Sequence, residues 1–139
     1  MCGIAGLVNA PGVEAQCREW LQGMLDALAH RGPDGQGMWF EPSVVLGTRR
    51  LSIIDQVGGA QPVVDDFKRA VVVFNGEIYN FPELRQRLQS KGFRFKTRSD
   101  TEVLLCAYLD QGYDCLHSLE GMFALAIWDR ERRTLFAAR

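Results

Sequence analysis

The chain has 139 residues, 47% of them hydrophobic, a length and composition that fit one domain with a buried core. Sixteen Lys and Arg against seventeen Asp and Glu leave a net charge of −1, which gives no electrostatic case for nucleic acid or an anionic membrane. No apolar run reaches bilayer-spanning length, no signal pattern opens the chain, and Cys2, Cys17, Cys106 and Cys115 lack zinc-site spacing, so reduced thiols in the cytoplasm are expected.

In chain order, "GIAGLVN" predicts a strand over 3–9, and "NAPG" a turn. Cys17, Trp20, Leu21, Met24, Leu25 and Leu28 recur at helical spacing and predict an amphipathic helix over 14–29, stopped by Gly32 and Pro33. Strands are expected near 36–41 and 43–49, whereas "SIIDQVGGAQPVVDD" reads mostly as loop. "RAVVVFNGEIYN" carries a strong strand signal. A helix follows, with Asn80 as N-cap, Pro82 and Glu83 in its first turn and Gly92 beyond its end. The next repeats that grammar: Ser99 caps, Glu102 sits three residues on, and Gly112 terminates. Two apolar strands, "GMFALAIWD" and the end of "RERRTLFAAR", close the chain around a charged turn. Strands and helices are grouped rather than alternating, which predicts an α+β fold of layered sheets. The chain stops at Arg139 within a predicted strand, so a fold truncated at its C-terminus is expected.

Cys2 is the first candidate for chemistry. Removal of Met1, expected before so small a side chain, leaves a thiol and an α-amine on one residue. An α-amine has an unperturbed pKa of about 7.7–8.0 and a free thiol about 8.5, so the amine suits the task of taking the thiol proton. A buried, inert cysteine is the alternative.

Asn75-Gly76 between β-rich runs is the strongest short-range hairpin signal, and local grounds favour a tight turn there. The alternative is an oxyanion site, with the Asn75 amide and the Gly76 N–H facing a tetrahedral intermediate and Glu77 beside them. Arg49 and Arg50 offer a carboxylate clamp or simply an exposed strand edge. Asp100 opens a helix, where the dipole already favours it, and it also suits an ammonium group. His30 and His117 supply the base of a competing Cys–His hydrolase reading.

Together, "MCGIAGLV", "HRGPDG", "RRLSIID", "GAQPV", "FNGEIYN", "SDTEV" and "GMFALAIWD" resemble the glutaminase domain of glutamine-hydrolysing asparagine synthetases. These are class II amidotransferases with an N-terminal cysteine, and the resemblance runs along essentially the whole chain. It implies a four-layer α/β/β/α N-terminal-nucleophile (Ntn) fold with antiparallel sheets. It further implies that Cys2 attacks glutamine, Asn75 and Gly76 hold the oxyanion, and Arg50 binds the α-carboxylate. Leu51, Ser52, Ile53 and Ile54 then line the pocket, Glu77 and Asp100 receive the α-amino group, and Arg31 and Arg49 support the site. The implied glutaminase step needs no cofactor or metal. ATP and Mg2+ belong to a synthetase domain, in cis or in trans, which takes the ammonia and lies outside these 139 residues. A homodimer is compatible with this scheme. The ammonia acceptor stays open, and so does a non-catalytic fragment in which Cys2 is only a thiol.

Overall fold

A computed structural model describes residues 2–10, 12, 14–52 and 58–139, so the expectations at Ile53 and Ile54 lie outside the described residues. The elements run β1 (Gly3–Val8), α1 (Glu14–Ala27), β2 (Gly35–Glu41), β3 (Val44–Arg50), β4 (Val63–Val64), β5 (Ala70–Ile78), α2 (Phe81–Ser90) and α3 (Asp100–Gln111). A 3-10 turn (Gly112–Ser118) leads to β6 (Gly121–Asp129) and β7 (Thr134–Ala138). All strand pairs are antiparallel, in a three-stranded sheet ordered β1-β3-β2 and a four-stranded sheet ordered β4-β5-β6-β7.

Strand alternation divides the apolar side chains into three layers of core. Val45 of β3 meets Cys17, Leu21 and Leu25 of α1 on one outer side. Val44 and Leu46 point the other way, to Val71, Val73 and Trp128 between the two sheets. Val72, Phe74 and Ile78 of β5 face Leu84, Leu88, Val103 and Leu104 of α2 and α3. The result is an α/β/β/α sandwich. β5 is covered on both faces, which explains why its sequence is a continuous apolar run rather than an alternating one.

Several local expectations are refined. α1 ends at Ala27, and the next turn tightens, with Leu28 N bonding Leu25 O at 3.1 Å. Ser99 does cap α3, accepting from Thr101 N at 3.1 Å, and Gly112 closes that helix at φ +61°. Asn80 does not cap α2. Its amide donates to Ser118 O at 3.0 Å and accepts from Glu120 N at 3.0 Å, tying the start of α2 to the approach of β6. The expected loop after Ser52 contains the two-residue strand β4.

The tight turn at Asn75-Gly76 is overturned: both residues lie inside β5, opposite Ala124 and Phe123 of β6. Gly76, at φ +156°, is required by close approach instead, since a Cβ there would stand 2.2 Å from Met122 O. Gly37 plays a similar part between the sheets, where a Cβ would stand 1.8 Å from Gln61 O. That contact is with backbone, so it cannot be relieved by a rotamer change. Gly37→Ala is expected to destabilise the fold by about 1–3 kcal/mol, the cost of overpacking a close contact. Urea denaturation checks it, and an unchanged midpoint contradicts the contact.

Candidate functional site

Cys2 precedes β1, and its sulfur lies against the chain leaving β3. Leu51 N–H donates to Sγ at 3.4 Å, and the thiol faces Leu51 O at 3.7 Å. The "HRGPD" turn fixes both partners. Arg31 Nε donates to Cys2 O at 3.3 Å. Asp34 N donates to Arg50 O at 3.0 Å, and its carboxylate accepts from Ser52 N at 2.8 Å. Gly32 allows this approach, because a Cβ there would fall 2.4 Å from the Arg49 carbonyl carbon.

Cys2 opens onto a cavity of about 170 Å³ that also meets Arg50, Leu51, Asn75, Gly76, Glu77 and Asp100. Strand geometry explains how one edge of β5 builds its far wall. Backbone N–H groups alternate sides along a strand. Tyr79 N bonds Glu120 O, on the approach to β6, so odd-numbered donors face β6 and even-numbered donors face the β4 side. On the β4 side, Ala70 N bonds Asp65 Oδ1 at 2.9 Å and Val72 pairs with Val63. Beyond β4, Phe74 N donates to Gln61 Oε1 at 2.7 Å, and Ile78 N donates to Asp100 Oδ2 at 3.1 Å. The same alternation turns the Gly76 N–H outward between those two, over the cavity.

The neighbouring Asn75 side chain falls on the inter-sheet side with Val71 and Val73. Its Oδ1 is buried with no hydrogen-bond partner among the described residues. This oxygen can only accept, so any hydrogen bond from Asn75 to an oxyanion comes from its Nδ2.

Residues of both charges line the cavity. Arg50 contributes a guanidinium from the end of β3. On the α3 side stand Asp100, 5% exposed, and the exposed Glu77. Burial pushes the Asp100 carboxyl above the usual carboxylate range, and the Glu77 charge adds to the rise; N–H groups of Ile78 and Thr101 oppose it. A cationic group placed there offsets both by direct attraction to the carboxylate. The cavity is therefore lined by a thiol, the Gly76 backbone and the Asn75 amide, one arginine and two acids.

Not every expected residue joins it. Arg49, one step along the strand, points to the opposite face, donating to Leu25 O and pairing with Asp26, both at 3.0 Å. Ser52 gives its backbone N–H to Asp34 and does not line the cavity. His30 and His117 are exposed, and neither lines it. Gln61, Thr101 and Met122 line the cavity without having been singled out as site residues. Among the thiols, Cys17, Cys106 and Cys115 are buried, and burial pushes Cys106 up to about 12 and Cys115 up to about 11. Among the described residues, no three His, Cys, Asp or Glu side chains group as a metal site, and no helix is long and apolar enough to cross a membrane.

A family model described as a glutamine amidotransferase domain matches residues 1–139. The chain is 42% identical over 141 residues to asparagine synthetase [glutamine-hydrolyzing] 3 of Bacillus subtilis (strain 168), covering 100% of this chain and 23% of that protein. It is 36% identical over 139 residues to asparagine synthetase B [glutamine-hydrolyzing] of Escherichia coli (strain K12), covering 100% of this chain and 25% of that one. The chain thus spans about a quarter of the length of these curated relatives. In fold it is similar to glutamine phosphoribosylpyrophosphate amidotransferase from B. subtilis, solved with ADP and GMP, at TM-score 0.69 and 22% identity over 92% of this chain and 34% of that one. The chain belongs to the glutamine amidotransferase domain family and has the Ntn-hydrolase fold.

Proposed function

We propose that this chain hydrolyses glutamine to glutamate and ammonia through a thioester on Cys2, and that the ammonia serves a synthetase domain making asparagine. The observation that carries the reading is the meeting of the Cys2 sulfur, the Asn75–Gly76 donors, Arg50 and Asp100 in one cavity. Arg50 takes the α-carboxylate, Asp100 and Glu77 take the α-ammonium, and the side-chain amide then lies toward Sγ.

With Met1 removed, the Cys2 α-amine accepts the thiol proton as Sγ bonds to the amide carbon. The oxyanion receives the Gly76 N–H and the Asn75 amide. The C–N bond breaks as that proton passes to nitrogen, releasing ammonia and leaving the thioester. Water, losing a proton to the same amine, adds to the thioester carbon. The C–S bond then breaks to return glutamate and the thiol. ATP and magnesium belong to the synthetase step, and no residue of this chain is assigned to them. Four free cysteines suit a cytoplasmic setting.

Cys2→Ala is expected to abolish ammonia release, and so is any residue placed ahead of Cys2 that survives processing. Asn75→Ala should lower kcat about 10²–10³-fold, the usual loss for one oxyanion donor. Coupled glutamate and ammonia assays read both; activity retained behind a blocked terminus sinks the α-amine mechanism.

Asp100→Asn carries two opposed expectations. The raised carboxyl means that ionised Asp100 costs folding stability at neutral pH. The cost disappears as pH falls through the raised value, because the native state takes up the proton before the unfolded chain does. The variant should melt above wild type at neutral pH, with the gap closing toward acid. Its KM for glutamine should nevertheless rise about 10- to 100-fold, as expected for a lost charge-assisted contact. Thermal melts across pH and steady-state kinetics check the pair, and a lower neutral-pH melting point with unchanged KM contradicts both.

A further inference from the structure

Gln61 is held by three elements at once. Its backbone carbonyl is seated against Gly37 of β2, where no side chain fits between them. Its side-chain Oε1 accepts from Phe74 N of β5 at 2.7 Å, and its Nε2 donates to Thr101 Oγ1 of α3 at 3.4 Å. The amide orientation is fixed by chemistry, since the Phe74 N–H can only donate and must meet the oxygen.

The bonds continue to Asp100, whose carboxylate accepts from both sides. Thr101 Oγ1 donates to Asp100 Oδ1 at 3.5 Å, and Asp100 Oδ2 receives Ile78 N–H at 3.1 Å. Starting at Phe74 and ending at Ile78, the chain of side chains leaves β5 and returns to it, spanning the Asn75-Gly76 pair. We infer that Gln61 is a positioning residue, resting on the glutaminase reading above: with Thr101 it sets the spacing between the β5 oxyanion donors and the α3 carboxylate that takes the substrate ammonium. Gln61 lines the cavity, but the bonds of its side-chain amide go to Phe74 and Thr101 and not to the sulfur or the charged groups. Its effect passes through the elements it joins.

Substrates that need both ends of the site should feel its loss, whereas a small electrophile that needs only the thiol should not. Gln61→Met removes both bonds at similar volume, and Thr101→Val cuts the same chain from the other end. For protein with Met1 removed, each variant is expected to lose about 10- to 100-fold in kcat/KM for glutamine, as loss of one or two aligned hydrogen bonds allows. Cys2 labelling by the glutamine-shaped diazo-oxo-norleucine should slow in parallel. Alkylation of Cys2 by iodoacetamide, followed by peptide mass spectrometry, should stay within about twofold of wild type, because it uses neither end of the site. The double variant should lose little more than either single one, since both break one bridge.

Unchanged glutamine kinetics in both single variants overturns the inference. So does iodoacetamide labelling that changes in step with diazo-oxo-norleucine, because that marks a general disturbance of the fold. Fully additive losses in the double variant overturn it as well. Wild-type protein that neither turns over glutamine nor labels with diazo-oxo-norleucine overturns the glutaminase reading itself, and this inference with it.

Discussion

The free edge of β5 is the constraint on which the site depends. β4 is only two residues long, so it satisfies a short part of that edge and then stops. A buried strand cannot leave its donors unmet without cost. Gln61 and Asp100 therefore supply acceptors from outside the sheet, two steps on either side of Gly76. What remains between them is a single outward backbone donor over the cavity. The sheet's own need for hydrogen bonding produces the place where negative charge can be stabilised.

The other layers bring the Cys2 thiol to this edge. β1 runs beside β3, so Cys2 at its start lies near the Arg50–Leu51 exit of that strand. The "HRGPD" turn then holds both chains through Arg31 and Asp34, one bonding the Cys2 carbonyl and the other the Ser52 amide. The inter-sheet core of Val44, Leu46, Val71, Val73 and Trp128 fixes the separation of the two sheets, and with it the distance from sulfur to donor. Burial pushes the Cys106 and Cys115 thiols up, and neither lines the cavity onto which Cys2 opens.

Legibility in the sequence followed the range of the interactions. α1, α2, α3 and the β6–β7 hairpin were readable because periodicity, caps and glycine stops act within a few residues. Asn75-Gly76 misled on local grounds: its dipeptide favours a turn, but the glycine is demanded by β6, more than forty residues further on. Arg49 and Arg50 looked alike as neighbours, and strand alternation sends one to α1 and the other to the cavity. Glu102 held the position of a capping-box acid, yet its carboxylate receives Lys96 N and Thr97 N instead. Gln61 carried no periodic signal. Its partners lie 13 and 40 residues away, and only the folded chain brings them together.

The most direct test is a crystal structure of the Met1-processed protein carrying a Cys2 hemithioacetal formed with glutamate γ-semialdehyde, a tetrahedral mimic of the intermediate. The adduct oxygen is predicted to lie within hydrogen-bond distance of both Gly76 N and Asn75 Nδ2, with the adduct's ammonium on Asp100 and its carboxylate on Arg50. An adduct whose oxygen faces solvent, or whose charged ends lie away from Asp100 and Arg50, contradicts the account.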